Sequence, residues 1–274
     1  MPSESTELLP VAVNGASGRM GQRVVALVLA DETLQLAGAI VEEGSPFIGR
    51  DAGEVAGAGP AGVAVGTALP PQTALVIDFS TPGGVLSIAE ACAGANIPLV
   101  AATTGLTETQ ETRLLAAGEQ MPFLWEPNLS LAVNVAMELT RIAARVLQNA
   151  PGGCDVEVIE RHHRFKEDAP SGTALKFGRI VAEEMGQTEM VHGREGRSGA
   201  RAASEIGFHA VRTGNNVGEH EIVFGMLSES LHVDVRGQSR DSYAAGAIAA
   251  GKKLVGREPG RHSLRSLLGL DRLG

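Results

Sequence analysis

Asn14-Gly15-Ala16-Ser17-Gly18-Arg19-Met20-Gly21 decides the fold of the first half of the chain, because glycine recurs in it at every third position. Before it, the apolar run Leu8–Val13 predicts a buried strand, and after it apolar residues at helical spacing predict a helix. A strand, a glycine-rich turn and a helix in this order are the context in which a dinucleotide-binding motif is credible. A strand, turn and helix that bind nothing are the alternative.

The three glycines of this turn have separate expected roles. Gly15 is expected to form the tight turn, Gly18 to let the backbone approach a pyrophosphate, and Gly21 to let the helix pack against the sheet. The spacing is G-x-x-G-x-x-G, because Ser17 stands where the common G-x-G-x-x-G pattern has its second glycine.

Strands and helices continue to alternate as far as residue 130. The second strand is predicted at 34–41 and leads to Glu42, and an acid about 20 residues beyond the turn is where such folds bind the adenosine ribose. Further buried strands are predicted at 74–80, 97–102 and 121–125, with helices over 82–93 and from about 107 and a loop over 45–66. This alternation predicts an α/β domain with a doubly wound, Rossmann-like parallel sheet. Ligands bind at the carboxyl ends of its strands, so Thr103-Thr104 and Pro127-Asn128 are expected on the nicotinamide side.

A second stretch with chemical content, Glu160–Ala174, follows a strand predicted at 155–160. It contains the adjacent histidines His162 and His163 and the cation Lys166. Histidine is the side chain whose ordinary pKa lies nearest neutral pH, so it is a natural proton donor there.

The end of this stretch predicts the start of a helix. Pro170 and Ser171 are typical of a loop that ends in an N-cap, so Gly172 and Thr173 would open the helix. The free N–H groups of a first helical turn bind anions. With the histidines and Lys166, this helix start favours a site where a small acidic substrate undergoes proton transfer.

Two other interpretations of the histidines are open. Histidine pairs at strand ends are often plain polar surface. The other is a zinc site, with ligands drawn from His162, His163 and Asp168 and from His209, His220 or His232. Adjacent residues of a strand point to opposite faces, and the chain has no Cys pair or HExxH spacing, so we expect no metal.

Beyond residue 131 the pattern changes. Helices are predicted over 131–149 and 173–185, and strands over 205–211, 219–226 and 231–236 alternate as in an antiparallel meander. An Ala-rich helix over 242–255 and a last helix over 258–274 follow. We therefore predict a dinucleotide-binding domain made of 1–131 and 241–274. An α+β substrate-binding domain with a mostly antiparallel or mixed open sheet is predicted over 132–240.

Composition limits the partners and the location. The 274 residues carry a net charge of -9, which argues against a nucleic-acid partner. The only cysteines, Cys92 and Cys154, lie far apart, so neither a disulfide nor a structural zinc site is expected. No apolar run reaches the ~18 residues of a membrane span, and no signal-peptide pattern opens the chain. We expect a cytoplasmic protein without a membrane partner.

Together these motifs resemble the 4-hydroxy-tetrahydrodipicolinate reductase (dihydrodipicolinate reductase) family along nearly the whole chain. Besides the glycine turn and Glu160–Ala174, the resemblance rests on Asp78-Phe79-Ser80, Thr103-Thr104-Gly105 and Gly218-Glu219-His220. It implies an NAD(P)H-dependent reduction of 4-hydroxy-tetrahydrodipicolinate to tetrahydrodipicolinate, in the diaminopimelate pathway of lysine biosynthesis. It also implies a small dicarboxylate substrate and a cytoplasmic homotetramer that assembles through the sheet of the second domain.

The resemblance also implies roles for individual residues. His162 and Lys166 are the expected catalytic acids, and His163, Gly172 and Thr173 are the expected substrate-binding residues. The nucleotide is expected to bind the glycine turn and two later loops, which comprise Gly15, Ala16, Ser17, Gly18, Arg19, Met20, Ala102, Thr103, Thr104, Pro127, Asn128, Leu129 and Ser130.

The end of the second strand departs from the family's pattern. The family often has an acid directly at the strand end, and members that use NADPH well have a basic residue after it. Here Val41 and Glu42 occupy these places, and no Arg or Lys follows until Arg50. We therefore expect Glu42 to bind the ribose of NADH, which should be preferred over NADPH. Trp125-Glu126 also replaces small residues that often precede the Pro-Asn motif.

Two other classes of function are open. A semialdehyde dehydrogenase of similar architecture needs a nucleophilic cysteine, but Cys92 lies in a predicted helix and Cys154 before a strand, away from any suitable loop. A nucleotide-sensing regulator without catalysis would have no need for His162 and Lys166. Substrate-dependent oxidation of NADH separates these classes.

Overall fold

The computed structural model describes residues 7–273, which form two compact units. Unit 1 comprises residues 7–130 together with Arg240–Leu273, and unit 2 comprises Leu131–Ser239. The strands are β1 (Leu9–Asn14), β2 (Leu34–Ile40), β3 (Val65–Gly66), β4 (Leu75–Asp78), β5 (Leu99–Ala101), β6 (Pro122–Trp125), β7 (Asp155–His162), β8 (Glu189–His192), β9 (Glu205–Arg212), β10 (Glu219–Gly225), β11 (Ser230–Arg236) and β12 (Gly260–His262). The helices are α1 (Arg19–Ala30), α2 (Ala52–Val55), α3 (Pro82–Ala95), α4 (Glu108–Gly118), α5 (Leu131–Leu147), α6 (Gly172–Met185), α7 (Asp241–Leu254) and α8 (Leu264–Leu267).

Unit 1 is built on a parallel sheet with the strand order β12-β6-β5-β4-β1-β2-β3. Its central strands are apolar runs, such as Leu75-Val76-Ile77, that are fully buried because helices cover both faces of the sheet. One core contains residues of α1, α7 and α8, and the other contains residues of α3 and α4. The predicted doubly wound, Rossmann-like sheet is confirmed.

The turn between β1 and α1 requires two of its glycines. Gly15 has a φ of +77°, and a Cβ there would lie 2.6 Å from the carbonyl oxygen of Phe79. A Cβ at Gly21 would overlap the carbonyl oxygen of Gly15. Gly15 therefore forms the tight turn, and Gly21 lets the helix approach the backbone of that turn.

Unit 2 is an α+β unit in which α5 and α6 pack on one face of a mixed sheet. The strand order is β11-β10-β7-β9-β8, with β9 parallel to both neighbours and β10 antiparallel to both neighbours. Burial alternates along β7 and β10, and the buried side chains, which include Val156, Val158, Ile222 and Phe224, share a core with the helices. The predicted mostly antiparallel or mixed open sheet is confirmed.

The meander predicted for 205–236 is confirmed for β10 and β11, which pair antiparallel, but it is wrong for β9. β9 and β10 follow one another in the chain but are not neighbours, because β7 lies between them and pairs with both. The connection through α6 and β8 returns the chain parallel to β7, as a long helical crossover permits. Alternating polarity identifies each segment as a half-buried strand, but it does not select the neighbour of that strand.

Three short regions also differ from the prediction. Residues 45–66 contain α2 and β3, because the carboxylate of Asp51 accepts hydrogen bonds from the N–H groups of Gly53, Glu54, Ala61 and Gly62. β8, whose residues are all at least partly exposed, has no counterpart in the prediction. Up to residue 273 the expected last helix is replaced by β12, α8 and a 3-10 turn at Leu270–Arg272, and Gly260 and Gly269, both with positive φ, mark the breaks.

None of the helices within residues 7–273 is long and apolar enough to cross a membrane.

Candidate active site

The end of β7 carries the central part of the candidate site in unit 2. His162, the last residue of β7, is 8% exposed, and its Nδ1 lies 2.5 Å from Oε2 of Glu160. Arg212, which pairs with His162 in the parallel register of β7 and β9, donates two hydrogen bonds to this carboxylate, at 2.7 and 2.8 Å. The N–H of Ser171 donates a further hydrogen bond to it, at 3.0 Å. A buried carboxylate thus holds the histidine, the arginine and the start of α6 together.

These hydrogen bonds fix the charge of Glu160 and the tautomer of His162. Burial acts to raise the pKa of Glu160, but the hydrogen bonds from His162 and Arg212 outweigh it and lower that pKa to about 2. An ionised carboxylate only accepts hydrogen bonds, so the network assigns a hydrogen to Nδ1 of His162. Nε2 is then the atom of His162 that gains or loses a proton.

Gly218 leaves space beside that nitrogen. It has a φ of +149°, and a Cβ there would lie 3.0 Å from Nε2 of His162. The preceding loop is attached to β7, because the N–H of Thr213 donates to the carbonyl oxygen of His162 at 2.9 Å. A side chain at Gly218 would therefore crowd the nitrogen that exchanges the proton.

The start of α6 is connected to the same histidine through His220. Ser171 is the N-cap, as predicted, and its Oγ accepts from the N–H of Ala174 and lies 3.1 Å from Nε2 of His220. The rings of His220 and His162 meet edge to face, with centroids 5.3 Å apart. Burial and then the charge of His162 lower the pKa of His220 to about 4, so His220 is neutral near pH 7.

Lys166 lies on the loop between β7 and α6. Its Nζ donates to Oδ1 of Asp168 at 2.7 Å, and its side chain is 22% exposed. Arg212 holds the same loop, because its second Nη donates to the carbonyl oxygen of Asp168 at 2.7 Å. The residue that fixes Glu160 therefore also fixes the loop that carries Lys166.

The three residues expected to bind substrate surround the same loop. His163 is half-buried, and its Nδ1 has no hydrogen-bond partner within residues 7–273. Gly172, the first residue of α6, is exposed, with open space where a Cβ would stand. Thr173 follows it and is half-buried. The structure thus places His163 at one end of the loop and Gly172 and Thr173 at the other.

Unit 1 contains a cleft of about 460 Å³ at the carboxyl ends of β1, β2 and β4. Two of the residues predicted to bind nucleotide, Gly15 and Glu42, line it. Its lining within residues 7–273 includes the carboxylates of Glu42 and Glu43 but no Lys or Arg. Arg50 lies outside this lining, with its guanidinium 5.5 Å from the ring centroid of Phe47.

The first turn of α1 fits a phosphate group. Gly18 is the N-cap and, as a glycine, offers no side-chain oxygen to the first-turn N–H groups. Oxygen atoms of Thr81, Thr107 and Ser171 cap the corresponding turns of α3, α4 and α6. Uncapped N–H groups and the positive end of the helix dipole bind phosphate, so this turn suits the pyrophosphate of a dinucleotide.

The other predicted nucleotide-binding residues follow β1, β5 and β6 and differ in exposure. Gly18, Arg19, Thr104 and Pro127 are exposed, and Ser17, Met20 and Asn128 are half-buried. Ala16, Ala102, Thr103, Leu129 and Ser130 are buried. Thr103 is held at both ends, because its Oγ1 donates to Asp78 at 2.5 Å and its carbonyl oxygen accepts from Nε1 of Trp125 at 3.0 Å. Trp125, which stands where small residues are expected, thus anchors a predicted cofactor loop.

Some contacts of the site have no place in the sequence prediction. Glu160 and Arg212 lie 52 residues apart, and only the pairing of β7 with β9 brings them together. His220 is visible in the sequence as part of the Gly218-Glu219-His220 motif, but nothing local indicates its contact with Ser171. Asn14 and Ser80, which line the cleft of unit 1, belong to quoted motifs but have no assigned role in the prediction.

The described histidines, cysteines and acids test two alternatives from the sequence, a zinc site and a nucleophilic cysteine. Within residues 7–273, no group of three or more His, Cys, Asp or Glu side chains is arranged to hold a metal ion. Both cysteines are buried, and burial raises the pKa of Cys92 to about 12 and also raises that of Cys154. Neither thiol supplies the thiolate that a semialdehyde dehydrogenase needs.

Two family models together match most of the chain. Residues 9–129 match the model described as dihydrodipicolinate reductase, N-terminus, and residues 132–268 match the model described as dihydrodipicolinate reductase, C-terminus.

Curated relatives match over nearly their full length. A protein of Rhodopirellula baltica named 4-hydroxy-tetrahydrodipicolinate reductase is 47% identical, over 98% of this chain and 99% of the relative. A protein of the same name from Alkalilimnicola ehrlichii is 41% identical, over 95% of this chain and 98% of the relative.

A solved structure shares the fold. The dipicolinate-bound dihydrodipicolinate reductase from Paenisporosarcina sp. TG-14 is similar with a TM-score of 0.73, at 24% identity, over 93% of this chain and 97% of that chain. At this identity the likeness concerns the fold alone.

Proposed function

The chain belongs to the dihydrodipicolinate reductase family, and we propose that it reduces 4-hydroxy-tetrahydrodipicolinate to tetrahydrodipicolinate in the diaminopimelate pathway of lysine biosynthesis. The observation that carries this proposal is the placement of His162, which is hydrogen-bonded through Nδ1 to the buried Glu160 beside the start of α6. A fixed proton donor beside an anion-binding helix start is what the reduction of a cyclic dicarboxylate requires.

The proposed reaction removes the 4-hydroxyl group, together with a proton from the neighbouring ring carbon, as water. It then adds a hydride and a proton across the resulting double bond. When bound, the reduced nicotinamide supplies the hydride. His162, through Nε2, and Lys166 supply protons to the substrate and to the departing hydroxyl. Glu160 stabilises the protonated form of His162 before the transfer, and Arg212 keeps Glu160 ionised by donating to both of its oxygens. Asp168 keeps the ammonium of Lys166 in place on its loop.

The carboxylates of the substrate are assigned to the start of α6 and to His163. Gly172 is exposed at the N-terminus of a 14-residue helix, where the helix dipole favours an anion. Thr173 adds a hydroxyl one residue later, and the orphan Nδ1 of His163 offers a further polar contact. In this proposal unit 2 is the substrate-binding domain.

The Rossmann-like sheet and the family imply a nicotinamide cofactor, and we assign its binding to unit 1. The turn from Gly15 to Met20 would hold the pyrophosphate, Glu42 the adenosine ribose, and Ala102–Thr104 and Pro127–Ser130 the nicotinamide side. We propose NADH as the preferred form, because two carboxylates line the cleft and no cation does within residues 7–273.

We propose further that the chain forms a homotetramer through the face of the unit-2 sheet that α5 and α6 leave uncovered. Ile159, Val211 and Val223 lie on that face and are partly exposed. Light scattering should give the mass of four chains, and Val211→Asp should lower it. A monomer at micromolar concentration would contradict this assembly.

A coupled assay tests the proposed function. The preceding synthase forms the substrate in place from pyruvate and aspartate semialdehyde, and absorbance follows oxidation of the reduced nucleotide. We expect oxidation that depends on both precursors and on this chain. A protein that binds the nucleotide without oxidising it in this assay would be the regulator considered above, and the proposal would fall.

A further inference from the structure

Asp78 is a buried carboxylate to which the proposed reaction gives no role. It is the last residue of β4 and is fully buried. β4 lies between β1 and β5, and Asp78 stands opposite Asn14 on β1 and Ala101 on β5. Ligands of open parallel sheets bind at this carboxyl edge. The position of Asp78 is therefore that of a residue beneath the nucleotide site.

Three side chains from three segments donate hydrogen bonds to this carboxylate. Oδ1 accepts from Nδ2 of Asn14 at 2.7 Å and from Oγ of Ser80 at 2.5 Å. Oδ2 accepts from Oγ1 of Thr103 at 2.5 Å. Asn14 immediately precedes the glycine turn, and Thr103 belongs to the loop assigned to the nicotinamide side. The two oxygens thus contact the two ends of the proposed nucleotide site.

The backbone around Asp78 reinforces both connections. A Cβ at Gly15 would lie 2.6 Å from the carbonyl oxygen of Phe79 and 2.8 Å from Cα of Ser80, so the glycine turn rests on the residues that follow Asp78. On the other side, the N–H of Ala102 donates to the carbonyl oxygen of Asp78 at 3.0 Å. A change at Asp78 would therefore reach the turn and the Thr103 loop together.

The chemistry of this carboxylate argues for a role beyond packing. All three side-chain donors are neutral, and an ionised group buried without a hydrogen-bonded cation opposes folding. Burial raises the pKa of Asp78, against the lowering by the hydrogen bonds from Ser80, Thr103 and Asn14. A neutral side chain of similar shape would be less costly for folding alone. Perturbed buried acids at a ligand-binding edge are typical of functional sites.

We infer that Asp78 is the positioning residue of the nucleotide site, where its two oxygens hold the glycine turn and the Thr103 loop at the separation that a dinucleotide spans. This inference rests on the proposed binding of the cofactor by unit 1. Oδ1 acts on the pyrophosphate end through Asn14, and Oδ2 acts on the nicotinamide end through Thr103. The two effects can be separated with NADH and with ADP-ribose, which lacks the nicotinamide.

Calorimetric titration of the full chain with both ligands tests this division. Asp78→Ala removes all three hydrogen bonds and should raise the dissociation constants of NADH and ADP-ribose by roughly tenfold or more. Asp78→Asn should raise both constants by a smaller factor. Thr103→Val removes only the contact to Oδ2. It should therefore raise the dissociation constant of NADH by about fivefold to tenfold and leave that of ADP-ribose within about twofold. Thr103→Ser keeps the hydroxyl and should restore NADH binding.

Thr73→Val is the matched control. Thr73 is buried just before β4, and its Oγ1 donates to the carbonyl oxygen of Pro70, so this variant removes a partly buried hydrogen bond at the opposite end of the strand. It should lower the melting temperature and leave both dissociation constants within about twofold. The ratio of the two constants is the decisive readout, since a general loss of stability does not change it.

Two results would overturn the inference. One is a Thr103→Val protein that binds NADH as tightly as the unmodified protein does, or whose affinities for NADH and ADP-ribose fall by the same factor. The other is a folded Asp78→Ala protein with unchanged constants, and if that variant does not fold, the same result with Asp78→Asn decides. An unmodified protein that binds neither NADH nor NADPH would overturn the proposed function as well, so the two failures are distinguishable.

Discussion

Nδ1 of His162 lies 2.5 Å from Oε2 of Glu160, and Arg212 donates to both oxygens of that carboxylate. The contact leaves Nε2 as the nitrogen that exchanges a proton, because the ionised carboxylate only accepts hydrogen bonds. Glu160 is buried and cannot itself meet a substrate, so it acts through the histidine. Replacement of His162 and replacement of Glu160 should therefore change the kinetics in different ways.

We expect His162→Ala and Lys166→Ala each to lower kcat by roughly 10²–10⁴, the range for loss of a general acid. Neither residue belongs to unit 1, so the dissociation constant of NADH should stay within about twofold. Steady-state kinetics with saturating substrate and a nucleotide titration measure the two effects. A kcat near that of the unmodified protein, for either variant, would remove that residue from the mechanism.

Glu160→Gln should change the pH dependence of the reaction. The glutamine keeps the shape but loses the charge that stabilises protonated His162, so activity should fall at a lower pH than in the unmodified protein. We also expect kcat to fall by roughly tenfold or more, from a hydrogen bond to a charged group worth about 1.5–3 kcal/mol. The pH profile of kcat measures both effects.

Glu157→Gln is the matched control for that profile. Glu157 lies on the same strand but on the opposite face, where Arg194 and His209 donate to it. Its replacement should leave the profile in place. Equal shifts in both variants would mean that Glu160 acts through the general charge of the unit.

Thr173→Ala and His163→Ala should raise KM more than they lower kcat, because binding equally strong in the ground state and transition state affects KM alone. Pyridine-2,6-dicarboxylate, a planar dicarboxylate, should compete with substrate and should bind these variants more weakly. Inhibition constants measured against the unmodified protein check this. Unchanged constants in both variants would move the substrate away from α6.

NADH should be preferred over NADPH by about tenfold in kcat/KM. At about 4 Å, each carboxylate and phosphate charge repel by roughly 1 kcal/mol in water and more when partly desolvated, and about 1.4 kcal/mol corresponds to tenfold. Glu42→Arg should improve the use of NADPH selectively. Equal or better kcat/KM with NADPH for the unmodified protein, at moderate ionic strength, would refute the role of Glu42.

Unit 2 should lose stability between pH 6.5 and pH 4. The pKa of His220 falls from 6.5 to about 4 on folding, so the unfolded chain binds more protons in this window and stability rises with pH. The change amounts to about 3 kcal/mol between pH 7 and pH 4. Chemical unfolding followed by circular dichroism at several pH values measures it.

His220→Gln should flatten this dependence, and His232→Gln should not, because the side chain of His232 is 47% exposed. A slope that persists in His220→Gln would assign the effect to other groups. Below about pH 4.5, protonation of Glu160 causes a separate loss of stability, because the pKa of Glu160 is lowered on folding to about 2.

The sequence predicts those parts of the molecule that depend on local pattern. The strand, turn and helix around Gly15 follow from apolar runs and glycine spacing, and the N-cap at Ser171 follows from one side chain that accepts the N–H of Ala174. These features need no knowledge of distant segments.

The rest depends on which strands become neighbours. The position of β7 between β9 and β10 is determined by the packing of the whole sheet. This position also brings Glu160 into contact with Arg212. The link between Asp78 and Thr103 likewise requires β4 beside β5. Charge and hydrogen-bond partners of the candidate site are therefore products of topology, which periodicity alone does not reveal.

Unit 1 is made from two segments of the chain, one before and one after unit 2, with consequences for synthesis on the ribosome. α7 packs with α1 in one core, Arg23 pairs with Asp241 at 2.6 Å, and β12 completes the sheet beside β6. Domains usually fold as they emerge, the N-terminal one first. Here every strand of unit 2 is translated before α7 and β12, so the unit that begins first must finish last. The nascent chain therefore carries an open β6 edge and an uncovered α1 until α7 and β12 have been translated.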